Sequence, residues 1–363
     1  MALVSALAGD TLPRLLRERA ALHPRRVALR EKEFGIWQRV TWADYLDHAR
    51  NFCLGLTALG VSRGDKVAVL SENRREWLYA ELGAMAAGAV GVGVYPTSPA
   101  NEVRYVVDHS EAVAVVAEDQ EQVDKILSVE LPRVRHVIVP EPRGLRRYRD
   151  PRLVSFDELE ALGGRHGEAH PGLFDELVSA TRADDLAFLI YTSGTTGFPK
   201  GAMISHRNLL AQARAVTEAV GFGPGDSVVS YLPLCHVAEQ IFSVFLPMWV
   251  GMTVSFAESL RTIQEDLREI APTVFLGVPR IWEKLQASIL VKIQETGRLR
   301  RWLFERTLEG GRRLAEKRLG GRRAGPLDLA GRALRYLLVT RALQNFVGLR
   351  RARLTFSAAA AIS

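Results

Sequence analysis

A chain of 363 residues is long enough for two or three domains and a large core, and its 47% hydrophobic and 25% charged residues exclude a disordered or fibrous protein. The formal net charge of +7 suits anionic ligands, anionic lipid or nucleic acid without choosing among them. The two cysteines, Cys53 and Cys235, are too few for a disulfide framework, so a reduced, cytoplasmic setting is expected. Residues 1–17 include Asp10 and lack a long apolar core, so no signal peptide is expected. The longest nearly apolar run, residues 82–94, is too short to cross a bilayer.

Thr41 reads as the N-cap of a helix that places Trp42, Tyr45, Leu46, Ala49, Cys53 and Leu56 on one face and is closed by Gly60. A turn at residues 61–65 leads to a strand at 66–70. Helices then follow at 76–87 and 101–109, and strands at 92–95 and 112–117. This alternation predicts a doubly wound α/β layer around a parallel sheet. Residues 140–183 read as irregular, with a solvated basic loop at 143–149 and a Gly-rich linker at 163–171. A subdomain boundary is expected near residue 180.

Residues 186–191 are a short apolar run ending in Tyr191, as a buried strand would be. The next stretch changes character: Thr192-Ser193-Gly194-Thr195-Thr196-Gly197-Phe198-Pro199-Lys200-Gly201 holds glycines, hydroxyls and one lysine, and no acid. Such a loop offers backbone N–H groups, little bulk and one cation, which is what a polyphosphate requires. It is not a Walker A loop, because Lys200 follows Phe198-Pro199 and precedes Gly201. Ser205 and Asn208 then read as the polar entry to an apolar-periodic helix.

A strand at 226–232 runs into Pro233-Leu234-Cys235-His236-Val237-Ala238. His236 stands where a strand gives way to a loop, a usual ligand position in α/β sheets; a satisfied structural histidine is the alternative. Residues 246–252 read as a buried helix end rather than a membrane-facing one. A strand, a Gly277-Val278-Pro279 turn and a helix follow, and small Gly277 leaves room for a ligand. From 292 to 353, arginines at helical spacing with Trp302, Phe304, Leu308 and Tyr336 predict two amphipathic helices broken near Gly320-Gly321 and Gly325-Pro326. This face is either a solvated basic surface or a peripheral contact with anionic membrane. No zinc-finger or helix-turn-helix pattern supports nucleic acid.

The stretch from Tyr191 to Gly201 resembles the signature loop of the adenylate-forming superfamily, which includes acyl-CoA synthetases, peptide-synthetase adenylation domains and luciferases. Gly64-Asp65-Lys66-Val67-Ala68, Ser71-Glu72-Asn73-Arg74-Arg75-Glu76-Trp77 and Val94-Tyr95-Pro96-Thr97-Ser98 resemble the N-terminal part of long-chain acyl-CoA synthetases. Taken alone these phrases are a turn, a helix start and a loop, and Asn73, Glu76 and Trp77 receive no chemistry.

The resemblance implies an α/β fold of stacked doubly wound parallel sheets, like the large N-terminal domain of acetyl-CoA synthetase, with residues 1–180 and 181–363 as subdomains and the second incomplete. It implies an AMP-forming long-chain fatty acid–CoA ligase that uses ATP, Mg²⁺ and coenzyme A. Thr192, Ser193, Gly194, Thr195, Thr196, Gly197 and Lys200 would bind the nucleotide, with Thr192 near the metal. His236 would lie at the acyl carboxylate, and Gly277, Val278 and Pro279 would border the acyl group. Gln240 stands where related synthetases can carry a tunnel-gating tryptophan. The superfamily continues with a Tyr-Gly-x-Thr-Glu motif, a ribose-binding acid and a small domain with a catalytic lysine. None of these is in the sequence, so little or no activity is expected of these residues alone. Two alternatives follow: a ligase for another carboxylic acid, or a non-catalytic nucleotide- or acyl-binding fragment.

Overall fold

The strand–helix alternation of the N-terminal half builds the first of two units. The computed structural model describes residues 9–192, 197–321, 323 and 325–358. The first unit comprises Met1–Asp226 with Ser230–Ala257, and the second Ser227–Val229 with Glu258–Ser363.

In the first unit α1 (Leu12–Leu22) leads to a hairpin of β1 (Val27–Glu33) and β2 (Ile36–Thr41). Its turn residues Phe34 and Gly35 both take positive φ, 49° and 78°, the twist a two-residue hairpin needs. Thr41 caps α2 (Trp42–Ala58) as expected, through a capping box with Asp44. There follow β3 (Lys66–Leu70), α3 (Arg75–Ala86), β4 (Val90–Val94), α4 (Ala100–His109), β5 (Ala112–Ala117), α5 (Gln120–Leu127), β6 (His136–Val139) and β7 (Leu153–Ser155). The segment 140–183 is not irregular: it contains α6 (Phe156–Ala169) and α7 (Leu173–Ala180). The glycines that suggest a linker are packing residues. A Cβ at Gly163 would stand 1.8 Å from the Asn51 carbonyl oxygen, so only glycine lets α6 lie this close to α2.

Beyond residue 180, β8 (Leu186–Thr192) and β9 (Lys200–Ser205) extend the same sheet, and α8 (His206–Val220) follows. The sheet order is β7-β6-β5-β3-β4-β8-β9, parallel except for the antiparallel β8–β9 pair. The doubly wound expectation therefore holds, whereas β9 replaces the loop that sequence pattern carries into α8. The core packs Ala68, Val92, Val115 and Val137 of the sheet against Val103 and Val107 of α4 and Ile126 of α5. The chain continues through β10 (Ser227–Ser230), α9 (Val237–Gln240), a π-helical turn at Ile241–Phe245 and α10 (Leu246–Val250) to β11 (Thr253–Phe256), which runs parallel to β1. Leu246, Met248 and Val250 are buried, so this apolar run is core.

The second unit holds α11 (Ile263–Ile270), β12 (Val274–Gly277), α12 (Pro279–Gln294), α13 (Arg298–Leu319), α14 (Pro326–Arg335), a π-helical turn at Tyr336–Thr340, α15 (Arg341–Val347) and β13 (Leu354–Ser357). β12 and β13 pair in parallel, Val274 opposite Leu354 and Gly277 opposite Ser357. The region expected to hold two amphipathic helices holds the end of α12 and three more. The breaks fall at Gly297, at the Gly320-Gly321 turn and at Gly325-Pro326, where glycine and proline interrupt helical hydrogen bonding.

Candidate functional site

Two parallel strands, β4 and β8, end side by side, and the residues at their carboxyl ends line a cleft. β8 keeps Tyr191 buried in the core and leaves Thr192 exposed at its carboxyl end. β9 returns from Lys200, and the register sets Lys200 opposite Thr192 and Gly201 opposite Tyr191. A hydroxyl and an ammonium thus stand at the two feet of one loop. Ser193, Gly194, Thr195 and Thr196 lie outside the described residues. Gly197 has φ 106°, a conformation that favours glycine. Exposed Lys200 forms no ion pair with any described residue.

α4 holds this hairpin from the side. The Tyr105 hydroxyl donates to the Pro199 carbonyl at 3.0 Å, and its ring stacks on Phe198 with centroids 4.8 Å apart. His109 Nδ1 meets the Tyr191 hydroxyl at 2.8 Å. Burial pushes the Tyr191 phenol up to about 12 and keeps it neutral. Neither Tyr105 nor His109 is evident from sequence as a site residue, since both simply fit the pattern of a half-buried helix.

The cleft measures about 390 Å³ and is lined by Gly93, Tyr95, Tyr105, Thr192, Phe198 and His236 among others. It brings together Thr192 and His236, which are 44 positions apart in the chain. Gly93 makes this approach possible: a Cβ there would stand 2.7 Å from Cys235 Cα. Alternate glycines inside β4 are the sequence signal for such a close approach. Burial first and the neighbouring buried Cys235 thiol second push the Tyr95 phenol up to about 12. His236 is exposed and caps α9, its Nδ1 accepting the Ala238 N–H at 3.1 Å. A neutral ring with Nδ1 so used carries its proton on Nε2, available as a donor.

The other expected acyl-site residues lie in the second unit. The space beside Gly277 is taken by Trp282, whose Nε1 a Cβ would approach to 2.5 Å. That indole donates to the Gly277 carbonyl at 2.9 Å and the Phe356 carbonyl at 3.3 Å. Trp282 thus fills the space that a side chain at Gly277 would take. Val278 is the N-cap of α12 and Pro279 its first residue. Among the described residues no group of three or more His, Cys, Asp or Glu side chains is placed to hold a metal ion. Thr192 by itself does not fit a magnesium site, which takes carboxylates together with phosphate oxygens.

Comparison with known proteins agrees with this architecture. The chain is 33% identical over 367 residues to the long-chain-fatty-acid–CoA ligase ACSBG2 of Rattus norvegicus, an alignment covering 97% of this chain and 53% of that protein. It thus spans about half the length of the curated relatives it matches. Among solved structures it is similar to the anthranilate CoA ligase AuaEII in complex with anthranoyl-AMP (TM-score 0.64, 22% identity, 74% of this chain and 50% of that one). It is also similar to a putative long-chain-fatty-acid CoA ligase from Rhodopseudomonas palustris (TM-score 0.58, 26% identity, 74% and 63%). The family model for the AMP-binding enzyme matches residues 16–345, and the chain therefore belongs to the AMP-binding enzyme family.

Proposed function

We propose that this chain supplies the phosphate-holding and acid-holding parts of an AMP-forming ligase that activates a long-chain fatty acid. In the first step a carboxylate oxygen of the acid attacks the α-phosphorus of ATP, the bond to the β-phosphate breaks, and pyrophosphate leaves. In the second, the thiol of coenzyme A attacks the acyl carbonyl and AMP leaves. Lys200 and the loop N–H groups stabilise the charge that develops on the departing phosphates, with the Thr192 hydroxyl as a further donor. His236 donates from Nε2 to the acid's carboxylate and orients it for attack. The second foot of the loop and the imidazole are 36 positions apart. The observation that carries the reading is that Thr192 and His236 line one cleft while strand register places Lys200 opposite Thr192.

The test is acid-dependent exchange of labelled pyrophosphate into ATP. Exchange that requires a long-chain fatty acid and collapses in Lys200→Met supports the reading; exchange driven better by an aryl or amino acid replaces the substrate class. Because the chain spans about half of its relatives, its exchange is expected to be far below that of a full-length relative. A rate within an order of magnitude of one would refute that expectation. ATP binding without any exchange would favour a non-catalytic nucleotide-binding role.

A further inference from the structure

Residues 231–235 connect β10 to α9 and carry His236, and the backbone of this connection is held largely by side chains. Asn73, three residues beyond the close of β3, donates from Nδ2 to the Leu232 carbonyl at 2.6 Å and to Ser230 Oγ at 2.8 Å. Its Oδ1 accepts the Leu234 N–H at 3.0 Å. Glu239, 2% exposed, accepts the Leu232 N–H at 3.3 Å and binds the Ser243 hydroxyl. Gln240, 0% exposed, donates from Nε2 to the Leu234 carbonyl at 2.7 Å and to Glu81 Oε2 at 3.0 Å. Both backbone groups of Leu232 and both of Leu234 are thus taken by these three side chains. Pro233 has no N–H, and its carbonyl accepts the His236 N–H at 2.9 Å. A connection without regular structure would otherwise leave these groups unsatisfied or free to choose other partners.

We infer that Asn73, Glu239 and Gln240 are positioning residues that fix where His236 presents Nε2 in the cleft. Gln240 ties that placement, through Glu81, to α3. The inference rests on the reading of His236 as the group that holds the acid's carboxylate. Displacing such a group by about 1 Å costs on the order of 10²-fold in rate, whereas nucleotide binding at Thr192 and Lys200 does not depend on it. The clamp therefore acts on the acid and not on ATP.

The discriminating variant is Asn73→Asp, which keeps the side-chain shape and the acceptor for Leu234 but turns the donor facing the Leu232 carbonyl into an acceptor. In acid-dependent exchange it is expected to lower kcat/KM for the fatty acid roughly 10- to 100-fold and to leave KM for ATP unchanged. In a His236→Ala background the same substitution is expected to cost less than about twofold, because coupled residues are non-additive. An equal loss in both backgrounds overturns the inference. A second readout does not need activity: the His236 ring resonances, assigned by their loss in His236→Ala, should shift in Asn73→Asp and in Gln240→Leu while those of buried His206 stay in place. If the His236 ring does not move in a folded Asn73→Asp protein, the clamp does not position it and the inference fails, whatever the exchange assay shows. Absence of acid-dependent exchange in the unsubstituted protein would instead refute the proposed function, with the ring resonances still deciding the clamp.

Discussion

Lys200 and Glu81 are ionisable residues in opposite environments, and the consequences of changing them differ accordingly. Lys200 is exposed at the head of β9, so Lys200→Met should leave unfolding free energy within about 0.5 kcal/mol. Exchange activity should nonetheless fall about 10²- to 10³-fold, as when one preorganised charge-stabilising donor is removed. Thermal melts and pyrophosphate exchange on the same sample check both halves. Glu81 is fully buried; burial pushes its carboxyl from 4.5 up to about 7, against the opposing hydrogen bonds from Gln240 and Trp77. The folded state therefore prefers the protonated form. Its contribution is intact below about pH 4.5 and is lost as pH rises through about 7. Glu81→Gln should gain on the parent by roughly 2–3 kcal/mol between about pH 5 and pH 8.5, read from denaturant midpoints. His206 has the opposite sign: burial lowers it from 6.5 to about 4, so its contribution is lost as pH falls through that range. Lys200 is legible in sequence because its loop has no acid, while Glu81 is not, because its partner Gln240 lies 159 positions away.

At the scale of elements, two neighbouring glycines of α6 show what pattern alone cannot separate. A Cβ at Gly163 would collide with the Asn51 carbonyl, whereas nothing lies within 4 Å of the position a Cβ would take at Gly164. Gly163→Val should cost at least about 2 kcal/mol through overpacking against α2. Gly164→Ala should stabilise by about 0.5–1 kcal/mol by reducing the entropy of the unfolded chain. Urea unfolding at unchanged m value distinguishes them. In sequence both belong to one Gly-rich stretch and read as a linker. α4 supplies a second case. Tyr105→Phe removes the 3.0 Å bond to Pro199 but keeps the stacking on Phe198, so ATP affinity should fall about fivefold, the worth of one neutral hydrogen bond of about 1 kcal/mol. Titration with a fluorescent ATP analogue measures it. The helix itself is evident from its period, but its task is not, because that depends on which strand follows β4 in the sheet.

For the whole molecule, the surface of the second unit is the open question with a direct assay. No helix of the described residues is long and apolar enough to cross a membrane. Yet α13 and α14 expose Trp302 (52%), Leu319 (89%) and Leu327 (89%) among their arginines. Peripheral contact with an anionic bilayer predicts co-sedimentation with phosphatidylserine vesicles at low salt, lost at high salt and absent with neutral lipid. No binding at low salt would leave these helices as a solvated basic surface.

Local pattern suffices for the parallel α/β class, the Thr41 cap and the buried β8 strand, and it supplies the residue types on which the proposed phosphate loop from Thr192 to Lys200 rests. Each of these is written in neighbours within a few residues: a period of two, an apolar run, a capping side chain, a cluster of glycines and hydroxyls. Tertiary structure decides the rest. It sets β9 against β8, gives Gly277's space to Trp282 and Gly163's to a backbone carbonyl, and brings Asn73, Glu239 and Gln240 onto Leu232 and Leu234, just ahead of Cys235-His236. Asn73 meets Leu232 across 159 positions, and such a contact leaves no period or spacing in a single chain; the shorter-range pairs depend on which side chain packing turns toward which backbone group, and residue pattern does not record that.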